Sequence, residues 1–493
     1  MARANKPTWT PSATDYENTL TAQNPWHANG AVPGEWAREV ERPLAQGLWS
    51  LLERDTPHRF HLVLGPRRVG KTTALYQTVR HLLARGVARQ RIWWYRLDHP
   101  LYMGARLDEL VRGATRSATP AAPAYLFLDE LTYAEQWDLW LKTFYDDKWP
   151  VRIVGTSSAT AALRDRRLES GIGRWEEQYL APYGFAEYLA LRGVASPKWP
   201  VGAHLAATLS NWFAAGAPVA ELADHRRRFI LTGGFPELLL AGDASADEQT
   251  VLLKSQSTLR SDAVERAIYK DIPQTFDLDD PLQLERLLYT LAGQFTGILS
   301  PTGICQTLGF TQPTFGRYLS YLERAFLVFT LLNYSGSEGN MQKRGRKLYF
   351  VDGAVRNAAL QRGLGPLSDP AEMGLLFENL VAGHMHALAQ QGQVRLYYWR
   401  DKNDEIDLVY DHPDEPLAFE IASSSGHGRA GMRAFMERFP RFKNRCYLVA
   451  PGVAPRALGE GSDGIGVLPL DVLLLALNGQ AERELALRLG TVP

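Results

Sequence analysis

The sequence predicts an α/β protein built on a parallel, doubly wound sheet, followed by a helical lid, a winged helix and a second α/β domain. Residues 65–73 read Gly-Pro-Arg-Arg-Val-Gly-Lys-Thr-Thr and fit the P-loop pattern G-x-x-x-x-G-K-[ST] at every fixed position. An apolar run at 60–64 precedes them, and Leu75, Val79, Leu82 and Leu83 follow at helical spacing. The motif therefore has the strand before it and the helix after it that phosphate binding requires. Beyond it, strands keep alternating with helices, the pattern of a parallel sheet covered on both faces.

Length and composition set the outer limits. A chain of 493 residues is too long for one core and implies about three domains. The 54 Lys+Arg balance 54 Asp+Glu, so any nucleic-acid surface has to be local. Two cysteines, Cys305 and Cys446, with no C-x-x-C pair, argue against a disulfide framework or zinc site and for a reducing cytoplasm. No stretch approaches the roughly 20 apolar residues of a membrane span, so a soluble cytoplasmic protein without membrane contact is expected.

Residues 1–34, rich in Pro, Asn, Thr and Ala, read as an extended arm ordered only if Trp9, Tyr16 and Trp26 dock. Residues 35–195 are expected to form the phosphate-binding core. The core opens with a helix over 35–54 that places Val40, Leu44, Leu48, Leu51 and Leu52 on one face. In the P-loop, Gly65 and Gly70 let successive N–H groups and the helix N-terminus face phosphate oxygens, with Arg68 and Thr73 joining the contacts. Lys71 would reach the β- and γ-phosphates of ATP, and the Thr72 hydroxyl would ligate Mg2+.

A second strand is expected at 91–97 and a third at 124–128, the latter running into Asp129 and Glu130. An apolar strand closing on Asp-Glu is the Walker B arrangement: Asp129 serves the metal, and Glu130 polarises the attacking water. A strand at 151–155 ends on Thr156, Ser157 and Ser158, where Ser157 is the candidate γ-phosphate sensor. In the arginine-rich loop 164–174, Arg174 stands between Gly173 and Trp175 as a candidate finger for a neighbouring subunit's nucleotide.

These motifs, with the run Tyr-Leu-Ala-Pro-Tyr-Gly-Phe-Ala-Glu-Tyr-Leu at 179–189 and Thr-Gly-Gly-Phe-Pro-Glu-Leu at 232–238, resemble a prokaryotic AAA-type ATPase family whose C-terminal domain is of uncharacterised function. The resemblance covers most of the chain after about residue 40.

Residues 196–281 read as the helical lid, with Leu205, Leu209, Trp212 and Phe213 on one face. Residues 282–360 run helix, turn, helix, hairpin, the order of a winged helix. It would present Gln312, Thr314 and Arg317 on its outer side and Lys343, Arg344 and Arg346 on its wing. Residues 361–493 are expected to form a degenerate nuclease-like domain. The resemblance brings Glu378, Asp407 and Glu420 together as the carboxylates of a PD-(D/E)xK-type site, but Ala422 stands where that pattern has lysine. Cleavage is therefore not expected.

The sequence thus points to a magnesium-dependent AAA-type ATPase that works on DNA as a homo-oligomer, such as a hexameric ring. Two rivals remain: an NTPase switch that binds a protein partner, and an ATP-gated, metal-dependent nuclease.

Overall fold

The computed structural model describes residues 12–491 apart from 55–57, 103–105, 159–172, 217–221, 241–246, 277, 279, 342–344, 393, 425 and 427. Trp9, Arg166, Arg167, Lys343 and Arg344 lie outside the described residues. The chain forms two compact units, one of residues 1–180, 271–279 and 486–493, the other of residues 181–270 and 280–485.

The first unit is a P-loop AAA fold. Its sheet contains β1 (Phe60–Leu64), β2 (Ile92–Arg96), β3 (Ala124–Asp129), β4 (Val151–Ser157) and β5 (Trp175–Tyr179) in the order β2-β3-β4-β1-β5. All neighbours are parallel. Every residue of β1 and β3 is buried, as expected for strands covered on both faces. β1 lies beside the central strand β4, so its C-terminal end, and the loop that leaves it, sits next to the end of β4, which has β3 on its other side. β5 reads Trp-Glu-Glu-Gln-Tyr, with two half-buried acids, and lacks the apolar run that marks the other strands.

The N-terminal residues differ from the extended arm expected of them. Residues Ala13–Gln23 form helix α1, opened by a capping box in which Ser12 and Asp15 each accept the other's backbone N–H. The segment then covers the exposed edge of β2 with side chains. Asn24 accepts from the Trp94 N–H and donates to the Trp94 carbonyl, Gln23 accepts from the Arg96 N–H, and the Trp26 indole donates to the Ile92 carbonyl. Trp26 is fully buried. Groups that would otherwise offer an open strand edge are thereby paired. The next helix is also shorter than expected. It runs Pro43–Glu53, because proline fixes its own φ for the first helical turn and disfavours helical backbone in the residue before it. Leu44, Leu48 and Leu52 are buried as expected, whereas Val40 lies outside the helix and is exposed.

The second unit is organised on a mixed seven-stranded sheet of order β12-β11-β10-β9-β8-β6-β7. Its strands are β6 (Val328–Asn333), β7 (Arg346–Phe350), β8 (Arg395–Asp401), β9 (Asp404–Asp411), β10 (Leu417–Ile421), β11 (Cys446–Ala450) and β12 (Gly466–Pro469). Helices Pro281–Gly293, Pro301–Leu308 and Gln312–Arg324 precede the antiparallel pair β6 and β7, with a short helix, Glu338–Met341, between the two strands. That hairpin belongs to the same sheet as β8 to β12, since β6 pairs with β8, so the expected boundary at 360 falls inside one unit. A cluster around Trp399, Ile406, Phe435 and Phe442 forms a core beside this sheet. Both cysteines are free and buried.

Candidate nucleotide site

β1 delivers the P-loop and β3 and β4 deliver its partners. Gly65 passes so close to the Leu180 carbonyl that an added Cβ would stand 2.1 Å from that oxygen, which excludes any larger residue without moving the backbone. Gly70 caps the following helix, Lys71–Ala84, at φ +89°, a left-handed conformation that suits glycine. The free N–H groups of that helix end at this turn, the arrangement that receives phosphate.

Lys71 lies at the start of this helix and is buried, its ammonium donating to the carbonyls of Gly65 and Pro66 at 2.8 Å each. Burial lowers its pKa to about 8, with Arg67 adding to the effect and Glu130 and Asp129 opposing it. Thr72 Oγ1 lies 3.2 Å and 3.4 Å from the two carboxylate oxygens of Asp129. Asp129 also accepts from Thr156 Oγ1 at 2.6 Å. Burial and the neighbouring Glu130 push its pKa up to about 6, against the hydrogen bonds from Thr156 and Thr72. Glu130 adopts φ +55°, a left-handed conformation that costs a non-glycine residue about 1–3 kcal/mol and is concentrated at functional sites. Its N–H donates to Thr156 Oγ1 at 2.9 Å, and its carboxylate accepts from Ser158 Oγ at 3.3 Å.

Several expected residues are brought together here and others are not. Gly65, Gly70, Lys71, Thr72, Asp129 and Glu130 surround one end of the sheet, with Thr73 half-buried in the first helical turn. From the end of β4 the hydroxyls of Thr156 and Ser158 reach the two carboxylates, and Ser157, the expected sensor, is buried between them in the chain. Arg68 is exposed, with φ +64°, whereas Arg67 turns inward to Asp271 and lies 3.8 Å from Glu130 Oε1. Burial works against the Arg67 charge, but Asp271 and Glu130 hold its pKa above the ordinary arginine range. Neither Arg67 nor Asp271 was identifiable from the motif, which leaves Arg67 at a variable position and gives no hint of a residue about 200 positions away. Arg174 precedes β5, and its carbonyl accepts from the Phe60 N–H at the strand end opposite Gly65. Its guanidinium donates to Asp146 at 2.8 Å and 3.0 Å.

Two of the expected C-terminal carboxylates, Glu378 and Asp407, meet a lysine. Lys347, on β7 and 2% exposed, places its ammonium 2.8 Å from Glu378, 2.7 Å from Glu405 and 2.9 Å from Asp407. Tyr349, two residues along the strand, donates to Glu378 at 2.7 Å. Asp407 accepts the Ile421 N–H at 2.9 Å. Burial, then the charge of Asp407, pushes the Glu378 pKa up to about 8 against the pull of Lys347 and Tyr349. Burial opposes the Lys347 charge, but the surrounding carboxylates hold its pKa well above the ordinary value. The cluster thus includes Glu405 and Lys347, which the sequence pattern missed, and Ala422 lies in the apolar core. Among the described residues, no group of three or more His, Cys, Asp and Glu is arranged to hold a metal ion.

Residues 57–189 match the AAA domain family. Residues 223–365 and 373–473 match two domains of unknown function, DUF8612 and DUF4143. Two uncharacterized proteins of Methanocaldococcus jannaschii are similar over most of their length. One is 24% identical over 72% of this chain and 72% of its own, the other 25% identical over 78% of each. Among solved structures, Cdc6p from Pyrobaculum aerophilum aligns with 68% of this chain and 98% of its own at 14% identity and a TM-score of 0.30. AMPPCP-bound DnaA from Aquifex aeolicus aligns with 61% of this chain and 92% of its own at 16% identity and a TM-score of 0.26. No helix among the described residues is long and apolar enough to cross a membrane.

Proposed function

We propose that the chain is a cytoplasmic ATP-hydrolysing motor of the AAA type that acts on DNA as a homo-oligomer, such as a hexameric ring. The observation that carries the hydrolytic part is the chain Thr72–Asp129–Thr156 beside a strained Glu130, all at the mouth of a buried lysine's P-loop. Lys71 would bind the β- and γ-phosphates, with Gly65, Arg68, Gly70, Thr73 and Ser157 or its neighbours completing the nucleotide contacts. The donors suit Mg2+, because a hydroxyl and a carboxylate already face each other; Thr72 and Asp129 would hold it, and it would neutralise phosphate charge. Glu130 would accept a hydrogen bond from the attacking water.

Arg174 stands at the wrong end of β5 to serve its own P-loop, which supports action on a neighbouring subunit's nucleotide. Support for DNA comes from exposed Gln312 and Arg317 near the start of one helix and from exposed Arg346 at the start of β7. The C-terminal sheet would provide contacts without cutting, since the Lys347 ammonium already neutralises the carboxylates that a divalent cation needs.

Phosphate release with and without duplex or branched DNA tests the choice of partner. A DNA motor gives faster turnover with DNA, and Arg317→Ala weakens that response while reducing the slope of log affinity against log salt by about one unit. Turnover indifferent to DNA would favour a switch that binds a protein.

A further inference from the structure

Arg67 is a P-loop side chain able to grip a phosphate with two N–H groups, yet carboxylates hold it from two sides. Its Nε and Nη2 donate to the two oxygens of Asp271, and its Nη1 lies 3.8 Å from Glu130 Oε1. Asp271 is 6% exposed, and Ser158 Oγ stands 3.4 Å from it and 3.3 Å from Glu130. One residue from the P-loop, one from the end of β3, one following β4 and one from a distant segment therefore share a single charged network. The segment is itself unusual. Arg260–Glu265 and Ala267–Asp271 are π-helical, a rare conformation that is frequent at functional sites, and residues 271–279 belong to the same compact unit as the P-loop.

A guanidinium fork binds carboxylate and phosphate in the same two-pronged way, so both compete for the same edge. We propose that Asp271 is a specificity-determining residue that holds Arg67 until the terminal phosphate of a nucleoside triphosphate displaces it. This rests on reading the P-loop as an ATP site. The terminal phosphate belongs beside Glu130 and the end of β4, where the network lies, whereas a diphosphate ends short of it. Binding a triphosphate must break the Arg67–Asp271 pair and bring phosphate charge toward the Asp271 carboxylate. Both effects penalise triphosphate selectively, and both disappear when the carboxylate becomes an amide of the same shape.

The test compares the dissociation constants of a non-hydrolysable ATP analogue and of ADP, with magnesium, for wild type, Asp271→Asn and Asp271→Glu. Asp271→Asn should bind the triphosphate about tenfold more tightly, the scale of one charged hydrogen bond, while ADP affinity changes by less than about twofold. Asp271→Glu, which keeps the charge, should retain the wild-type preference. Equal changes for both nucleotides, or weaker triphosphate binding by Asp271→Asn, would overturn the proposal. Amide exchange on wild type gives an answer that needs no variant: residues 267–276 should exchange faster with the triphosphate analogue than with ADP, and equal or slower exchange would contradict release. Wild type that binds neither nucleotide would instead defeat the ATP-site reading itself, a distinguishable failure.

Discussion

Thr156 Oγ1 lies 2.6 Å from Asp129 Oδ1 and also accepts the Glu130 N–H at 2.9 Å, so one hydroxyl on β4 orients both acids at the end of β3. Removing such a supporting hydrogen bond typically costs 10- to 100-fold in metal affinity or activity. Thr156→Val should therefore raise the magnesium requirement and lower kcat by about tenfold, whereas Ser157→Ala should change either by less than about twofold. A magnesium titration of steady-state hydrolysis distinguishes them, and a larger loss with Ser157→Ala would restore Ser157 as the sensor.

Nucleotide binding should take up a proton in alkaline solution. Lys71 in the free protein has its pKa lowered to about 8, and phosphate oxygens favour its charged form. Below pH 8 the ammonium is already protonated and little is taken up. Above it, the neutral amine must gain a proton on binding, so affinity falls as pH rises. Calorimetry of an ATP analogue in buffers of different ionisation enthalpy should give uptake near zero at pH 7 and approaching about one proton at pH 9. Uptake independent of pH would place Lys71 away from the phosphates.

The Lys347 cluster makes a prediction about stability. Removing one partner of a buried ion pair leaves uncompensated charge and costs about 3–5 kcal/mol, so Lys347→Met should lose an amount of that order at pH 7. Glu378, its pKa raised from 4.5 to about 8, holds in the folded state a proton that the unfolded chain releases. Its contribution is therefore full below pH 4.5 and lost as pH rises through about 8, and Glu378→Gln should flatten stability over that window. Denaturant titrations at pH 5, 7 and 8.5 measure both. Wild-type protein should leave DNA intact in magnesium or manganese; metal-dependent cleavage abolished by Asp407→Ala would show that the ammonium serves a nuclease.

Arg174→Ala should bind ATP normally and hydrolyse it about 10³-fold more slowly, the scale of an arginine finger's contribution. Mixed with Glu130→Gln, it should recover turnover at interfaces that receive an intact residue from each partner. Full turnover by Arg174→Ala alone would leave the residue as no more than a half-buried partner of Asp146.

The P-loop, the Asp-Glu strand end and the parallel sheet were legible because local spacing carries them: a fixed glycine and lysine pattern, then apolar runs closing on acids. What the sequence hid was set by parity or by distance. Thr156 and Ser158, which reach the acids, stand one position either side of Ser157, and Arg67 differs from Arg68 only by one position in a turn whose φ reverses at Arg68. The lysine of the C-terminal cluster was sought two residues after Glu420, yet it arrives from β7, 60 positions before Asp407. A local pattern cannot register a side chain delivered by another strand. The N-terminal helix is a different case, since Ser-x-x-Asp at 12–15 is a readable start signal set in a polar composition that otherwise reads as an arm.

The most direct test of ATP hydrolysis at this site is the pairing of nucleotide binding with phosphate release in wild type, Lys71→Ala and Glu130→Gln. Lys71→Ala should lose binding. Glu130→Gln should keep ATP affinity within about threefold of wild type and lose turnover by about 10²-fold or more, because in the proposed role its carboxylate would act on the water and not on the bound nucleotide. Glu130→Gln that releases phosphate at the wild-type rate would contradict the assignment of Glu130 and, with it, the hydrolytic site described for this fold.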